Sequence, residues 1–404
     1  MLKISSPISP KRLIRYKPSP VLLILSLVVY YLIPITLCSL YNFFMDITAP
    51  MPEIEELKKL QSRIESSHLP PDLHDKAIIL LHRLMLTFKY GGNLAMFDQV
   101  TNYVDWITSL PWEKESQDNL DLVNAKEVLD RNHYGLNEIK DRILEYLSVM
   151  RLNVENTGLN PSGEKHIMMR APILFFVGLV GTGKTTMGIS IAEAMNREFV
   201  RIPFGGMGSA LDLRGQSRVA PDAEVGLMMK ALRRAGTRNP VVLLDELDRV
   251  AEHARADIMG VLVELLDPEQ NVAFTDHYID FPFNLSETLF IATANNTNNI
   301  ATAVLDRLEA IQMPSYSDEE KIIIGKSYIF PKVRKNAGLT NAQLIIDDSV
   351  WPLIIRPLGF DSGIRSLERT INGICRRIAR MIVEKKAATF QITEQNVKQF
   401  LPTW

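Results

Sequence analysis

Two cysteines in 404 residues, Cys38 and Cys375, are too few and too far apart to build a disulfide scaffold, and they suit a reducing compartment. One sits in an apolar run and the other in a helical pattern, so both read as packing residues. Excess charge is also missing. With 45 basic and 47 acidic side chains the net charge is −2, which provides no electrostatic footprint for nucleic acid as a main partner. No internal repeat is present. A hydrophobic content of 46% and a charged content of 23% are ordinary globular values that exclude wholesale disorder. The length allows two or three domains with a substantial core.

One long charge-free run stands out. Residues 1–20 carry Lys3, Lys11, Arg12, Arg15 and Lys17 without an acid, and residues 21–45 carry no charge at all. Twenty-five residues suffice to cross a hydrocarbon layer of about 30 Å with some tilt. A single N-terminal transmembrane helix is therefore expected, with a cleaved organelle-import segment as the alternative. Asp46, Glu53, Glu55 and Glu56 follow the run, so the charge rule keeps the short basic tail inside.

The chain centres on residues 171–186. An apolar strand, Ile173 to Val177, enters G-x-x-x-x-G-K-T from Gly178 to Thr185, and a helical pattern follows. Strand, glycine loop, lysine and helix start in this order form a phosphate cradle. Gly181 and Gly183 let the backbone curl its N–H groups toward phosphate oxygens, at the N-terminus of the new helix. Thr182 and Thr186 lie in the same cradle. Lys184 offers charge to the outer phosphates, and the Thr185 hydroxyl reaches Mg²⁺.

Further strands are expected at residues 199–204, 241–244 and 288–293, alternating with helical patterns. The fold class is thus α/β, a parallel sheet covered by helices. Before it, the 46–115 stretch shows apolar stripes at helical spacing (Ile54, Leu57, Leu60, Ile64; then Leu94, Phe97, Val100, Val104, Ile107), a helical neck. Helices at 121–131 and 136–153 are joined by Asn132-His133-Tyr134-Gly135. From residue 313 a helical domain is expected, opened by the capping box at Ser317 to Glu320. The boundaries are a tail at 1–20, an anchor at 21–45, a neck at 46–115, an α/β nucleotide-binding domain at 116–312 and a helical domain at 313–404.

The strand at 241–244 ends in Asp245-Glu246. Paired carboxylates at the carboxyl edge of a parallel sheet stand where ligands collect. Asp245 is expected to hold Mg²⁺ and Glu246 to activate the attacking water. Asn295 tips a third apolar strand, where it can contact the γ-phosphate or the water. Arg307 and Arg365 are ordinary arginines when taken alone.

The order Trp112, His133-Tyr134-Gly135-Leu136, GLVGTGKTT, LLDELDR, the block Leu265 to Tyr278, ATAN, LDRLE and GIRSLER resembles the ATPase module of Lon proteases over residues 53–404. The resemblance implies an AAA+ ATPase fold with a C-terminal helical lid, working as a homo-hexamer on protein substrates with ATP and Mg²⁺. It implies that Asn295 is sensor 1, that Arg307 is a finger reaching the neighbouring subunit's site, and that Arg365 is sensor 2 on the lid. It also puts His133, Tyr134 and Gly135 near the adenine.

Three departures qualify it. The family's serine–lysine peptidase domain would follow Trp404, so no peptidase activity is expected of this sequence alone and a separate peptidase partner is implied. An expected membrane anchor stands in place of the large N-terminal substrate-binding domain. Ala220, beside Pro221, falls where the family carries an aromatic on its substrate-gripping loop, and alanine has almost no area with which to grip. The expectation is a membrane-anchored ATPase that remodels or unfolds proteins. The alternatives are an ATP-switched assembly ring that threads nothing, or a truncated product of a protease gene. The ATPase would face an ATP-containing reducing compartment, cytoplasm or mitochondrion, with the side of the membrane left open.

Overall fold

The structure is a computed structural model and describes residues 52–89, 94–157, 173–220, 222–355 and 363–401. The expected membrane helix at 21–45, Cys38 and Pro221 lie outside the described residues. Among the described residues, no helix is long and apolar enough to cross a membrane.

The strands in chain order are β1 (Ile173–Val177), β2 (Phe199–Pro203), β3 (Val241–Asp245), β4 (Phe274–Asp276), β5 (Phe281–Phe283), β6 (Leu289–Ala294), β7 (Leu308–Gln312), β8 (Leu344–Ile346) and β9 (Phe390–Ile392). Five of them form one parallel sheet in the order β2-β3-β6-β1-β7. Every residue of β1, β3 and β6 is buried, as continuous apolar runs in a sheet covered on both faces must be. The expected strand at 288–293 lies one residue later. β7 was not expected at all. As an edge strand it buries only Ile311 fully, and Leu-Glu-Ala-Ile-Gln shows too little apolar character to read as a strand.

The described residues open with three helices, α1 (Pro52–Ser66), α2 (Pro71–Lys89) and α3 (Leu94–Ser109). Their apolar stripes pack together as expected, and they also join the sheet's own core. Leu57, Ile64, Leu81, Val104 and Ile107 belong to one apolar cluster with Phe204, Leu244, Phe274 and Phe283. Trp112 closes the joint. Its ring centre lies 5.8 Å from Phe281 and 4.9 Å from Phe283 on the β4–β5 hairpin, while its indole N–H donates to the Ile107 carbonyl at 2.7 Å.

Next come α4 (Leu122–Asn132), α5 (Asn137–Thr157), α6 (Lys184–Met195), α7 (Leu227–Ala235) and α8 (Arg255–Leu266). Asp121 starts α4 by accepting the Val123 N–H at 3.1 Å. Helix α6 packs on β3 and carries α4 and α5 above it in a second apolar cluster.

The lid opens as the sequence predicts. Ser317 and Glu320 form a full capping box at the start of α9 (Asp318–Ile324). The helical run widens into a π turn at Gly325–Ile329 before α10 (Phe330–Asn336). Pro331 lacks an N–H at this point, and the Phe330 N–H reaches back five residues to Gly325 instead. Then come α11 (Trp351–Ile355), α12 (Arg365–Val383) and a last short helix at Val397–Phe400. The lid is not wholly helical, because β8 and β9 pair in parallel beside them. Three-residue strands are too short to leave a periodic signal. Cys375 is fully buried in the lid core among Ile371, Ile374 and Ile378, and burial pushes its thiol up to about 11. It packs, as its sequence context indicated.

Candidate nucleotide site

Sheet order decides what meets. Because β6 lies between β1 and β3, the carboxyl ends of the three strands stand side by side. Val177 is level with Ala294, and Leu244 is level with Ala292. The glycine loop, the paired acids and Asn295 therefore emerge together at one edge, where open parallel sheets bind ligands.

The loop is braced from within. Gly183 takes a left-handed φ of 98° as it caps α6, a conformation that side chains resist. The Thr182 hydroxyl, fully buried, donates to the Leu179 carbonyl at 2.9 Å, and the Tyr316 hydroxyl donates to the Thr182 carbonyl at 3.2 Å. Burial, then the nearby Glu320, pushes the Tyr316 phenol up to about 12, so it stays a donor. The Lys184 ammonium donates to the Gly178 carbonyl at 2.6 Å, the Leu179 carbonyl at 3.0 Å and the Asn295 side-chain oxygen at 3.2 Å. Burial lowers its pKa, while the carboxylates of Asp245, Asp248 and Glu246 pull it back up. Thr185 is half-buried and Thr186 is exposed on the first turn of α6.

Asp245 is only 4% exposed. One of its oxygens accepts from the Thr293 hydroxyl, and the other accepts from Arg201 Nε at 2.5 Å. Glu246 adopts a left-handed φ of 63°, which turns its side chain out of the strand, and Arg249 lies 3.7 Å from its carboxylate. Its backbone N–H donates to the same Thr293 hydroxyl at 3.0 Å. Thr293 thus ties both acids together. Sequence reasoning missed Thr293, Asp248 and Arg201. The available signals were a hydroxyl inside an otherwise apolar strand, a third acid in LLDELD and a base in the middle of β2.

The two arginines differ in place. Arg307 donates to Asp267 at 2.7 Å and to the Ala303 carbonyl at 2.8 Å. It precedes Leu308, which is level with Ile173 at the start of β1, so it stands a strand's length, about 17 Å, from the phosphate loop of its own chain. The site and Arg307 do not meet within one chain. Arg365 does approach it. The Ile364 N–H donates to the Gly181 carbonyl at 3.0 Å, and a Cβ on Gly363 would come within 2.5 Å of the Val180 carbonyl. Only glycine allows this approach, and it sets the exposed Arg365 side chain at the first turn of α12 beside the loop.

His133 is bound onto α6, with Nε2 2.9 Å from the Ser190 hydroxyl. Burial, then Lys140, lowers its pKa to about 4, so the ring is neutral. Tyr134 is half-buried with its ring centre 6.5 Å from that of Tyr328, and Gly135 has a left-handed φ of 62°. These residues stand between α6 and the lid.

The loop that carries Ala220 is held at its base. Asp276 is fully buried and accepts the Gly226 N–H at 2.8 Å. The Arg218 guanidinium lies 3.9 Å from the ring centre of Tyr103 on α3. Ala220 is half-buried, and its neighbour Val219 is 91% exposed.

Residues 174–316 match the family model for "ATPase family associated with various cellular activities (AAA)", and residues 335–390 match that for "Lon protease AAA+ ATPase lid domain". The chain is 41% identical over 347 residues to Lon protease of Lawsonia intracellularis, covering 86% of this chain and 40% of that protein. It is 39% identical over 347 residues to Lon protease of Trichlorobacter lovleyi, covering 86% and 41%. Lon protease 2 of Thermus thermophilus is 39% identical over 349 residues, covering 86% and 43%. The chain thus spans about 40% of the length of the curated relatives it matches. With a sheet that brings Lys184, Asp245, Glu246 and Asn295 to one edge and a lid docked on the phosphate loop, this chain carries the AAA+ ATPase module of the Lon family.

Proposed function

We propose that the chain hydrolyses ATP in a homo-hexameric ring and uses the energy to remodel or unfold protein substrates, in partnership with a peptidase. The observation that carries the reading is the convergence of Lys184, Asp245, Glu246 and Asn295 at one sheet edge. The donor set fits Mg²⁺. Among the described residues no cluster of three His, Cys, Asp or Glu could hold a metal by itself. A single carboxylate and a hydroxyl, Asp245 and Thr185, suit an ion that takes its remaining oxygens from phosphate and water. When bound, Mg²⁺ supplies charge neutralisation on the phosphates.

The chain's own residues do the rest. The loop N–H groups and Lys184 bind the phosphates, and the Glu246 carboxylate takes a proton from the attacking water. Arg307, a strand's length from its own site, stabilises transition-state charge in the next subunit's site. Arg365 reads the nucleotide from the lid. His133, Tyr134 and Gly135 border the base. The charge-free run at 21–45 anchors the protein to a membrane, with the ATPase in an ATP-containing reducing compartment, cytoplasm or mitochondrion.

Glu246→Gln should bind ATP and fail to turn it over; normal turnover would remove Glu246 from its role. Mixing Arg307→Ala with Glu246→Gln subunits should restore part of the ATPase activity, whereas strict additivity of the defects argues against action between subunits. A second reading is an ATP-switched ring that threads nothing, favoured by Ala220. Stimulation of ATPase activity by an unfolded protein separates the two.

A further inference from the structure

We infer that Asp248 is a positioning residue for ATP turnover that fixes the orientation of the Asn295 side chain and, through it, the place of the Lys184 ammonium. The inference rests on the ATPase reading above and goes beyond it to a residue that the motif leaves without a task.

Asp248 sits in the short turn after Glu246 and is only 7% exposed. One carboxylate oxygen accepts the Asn295 backbone N–H at 3.2 Å. The other accepts from the side-chain NH₂ groups of Asn295 at 3.3 Å and Asn296 at 3.4 Å. Its backbone carbonyl accepts from the Asn299 side chain at 3.3 Å. On the far side of the same amide, Lys184 donates to Asn295 Oδ1 at 3.2 Å.

The two neighbours have fixed and opposite demands. A carboxylate can only accept, so the amide must turn its NH₂ toward Asp248. An ammonium can only donate, so the amide must turn its oxygen toward Lys184. The orientation of an asparagine is assigned from such a network, and here both partners assign the same one. Asn295 in this orientation is an acceptor that steadies the phosphate-binding lysine. One N–H of its NH₂ is taken by Asp248, and the second remains for a phosphate or a water. Asp248 therefore fixes both where the amide oxygen points and where that second N–H is aimed. Its negative charge also helps Lys184 keep its proton.

The competing account is that Asp248 merely braces the run of asparagines from 295 to 299. A double-mutant cycle on the full chain separates them. Asp248→Asn is isosteric and keeps one acceptor for the Asn295 N–H, but it removes the charge and an acceptor for the amide. We expect kcat for ATP to fall about tenfold with KM changed less than twofold. In an Asn295→Ala background, the same change should have no further effect on kcat. Asn299→Ala serves as the bracing control and should lower the melting temperature without moving kcat.

If Asp248→Asn leaves kcat unchanged, or lowers it by the same factor with and without Asn295, the inference is overturned. It is overturned too if Asn299→Ala reproduces the loss. Absence of ATP turnover by the unmodified chain would instead sink the ATPase reading, and the inference with it.

Discussion

Lowering the pH should loosen the seam between α4 and the phosphate-loop helix through one residue. His133 is 7% exposed, bonded to Ser190, and faces the Lys140 ammonium, itself paired with Asp130 at 2.8 Å. Its pKa falls from 6.5 to about 4 in the folded chain. The unfolded chain takes up this proton first, so stability is whole above pH 6.5 and is lost as pH falls toward 4. A gap of this size corresponds to about 3 kcal/mol in full, of which about 2 kcal/mol has gone by pH 5. His133→Gln keeps a polar partner for Ser190 but cannot titrate, so comparing it with the unmodified chain removes the contribution of other groups. In a unit of this size each kcal/mol moves the melting temperature by about 2–4 °C. Between pH 7 and pH 5 the unmodified chain should therefore lose several degrees more than the variant. Parallel losses would refute the reasoning, as would an imidazole carbon resonance of His133 titrating near 6.5.

Three other outcomes follow from the same geometry. Thr293→Val keeps the shape but leaves the Glu246 N–H and an Asp245 oxygen without their shared hydroxyl, so ATP turnover should drop at least tenfold with about 1–3 kcal/mol of stability, read by steady-state kinetics and denaturation. Asp118→Ala strips the two-pronged partner from Arg197, whose guanidinium is 1% exposed; a loss of about 3–5 kcal/mol is expected in urea melts, and a loss below 1 kcal/mol would contradict it. Gly363→Ala must push α12 away from the loop, so nucleotide affinity measured by fluorescent ATP displacement should weaken, while an unchanged affinity would mean that the lid contact is dispensable.

Legibility in the sequence followed the strength of local pattern. β1, β3 and the glycine loop announced themselves, because fully buried strands are long apolar runs and the loop needs particular glycines. β7 did not, since an edge strand shares its composition with loops. β8 and β9 gain their pairing only from the third dimension. Among site residues, Lys184, Asp245 and Glu246 are named by their spacing. Thr293 and Asp248 act through partners about 47 positions away in the chain, so no local window contains the reason for them. The pairing of Arg307 with Asp267 across 40 positions was equally invisible, although the resemblance had pointed to the arginine.

The joint made by Trp112 has a mechanical meaning. Because α1 to α3 share one core with β4 and β5, residue 52 is fastened to the nucleotide sheet without a swivel. The three helices therefore move with the sheet rather than about a hinge. Cutting the chain near residue 115 would not release a head from a stalk. It would lay bare Tyr103, Val104, Phe274 and Phe283, and the product should aggregate rather than turn freely.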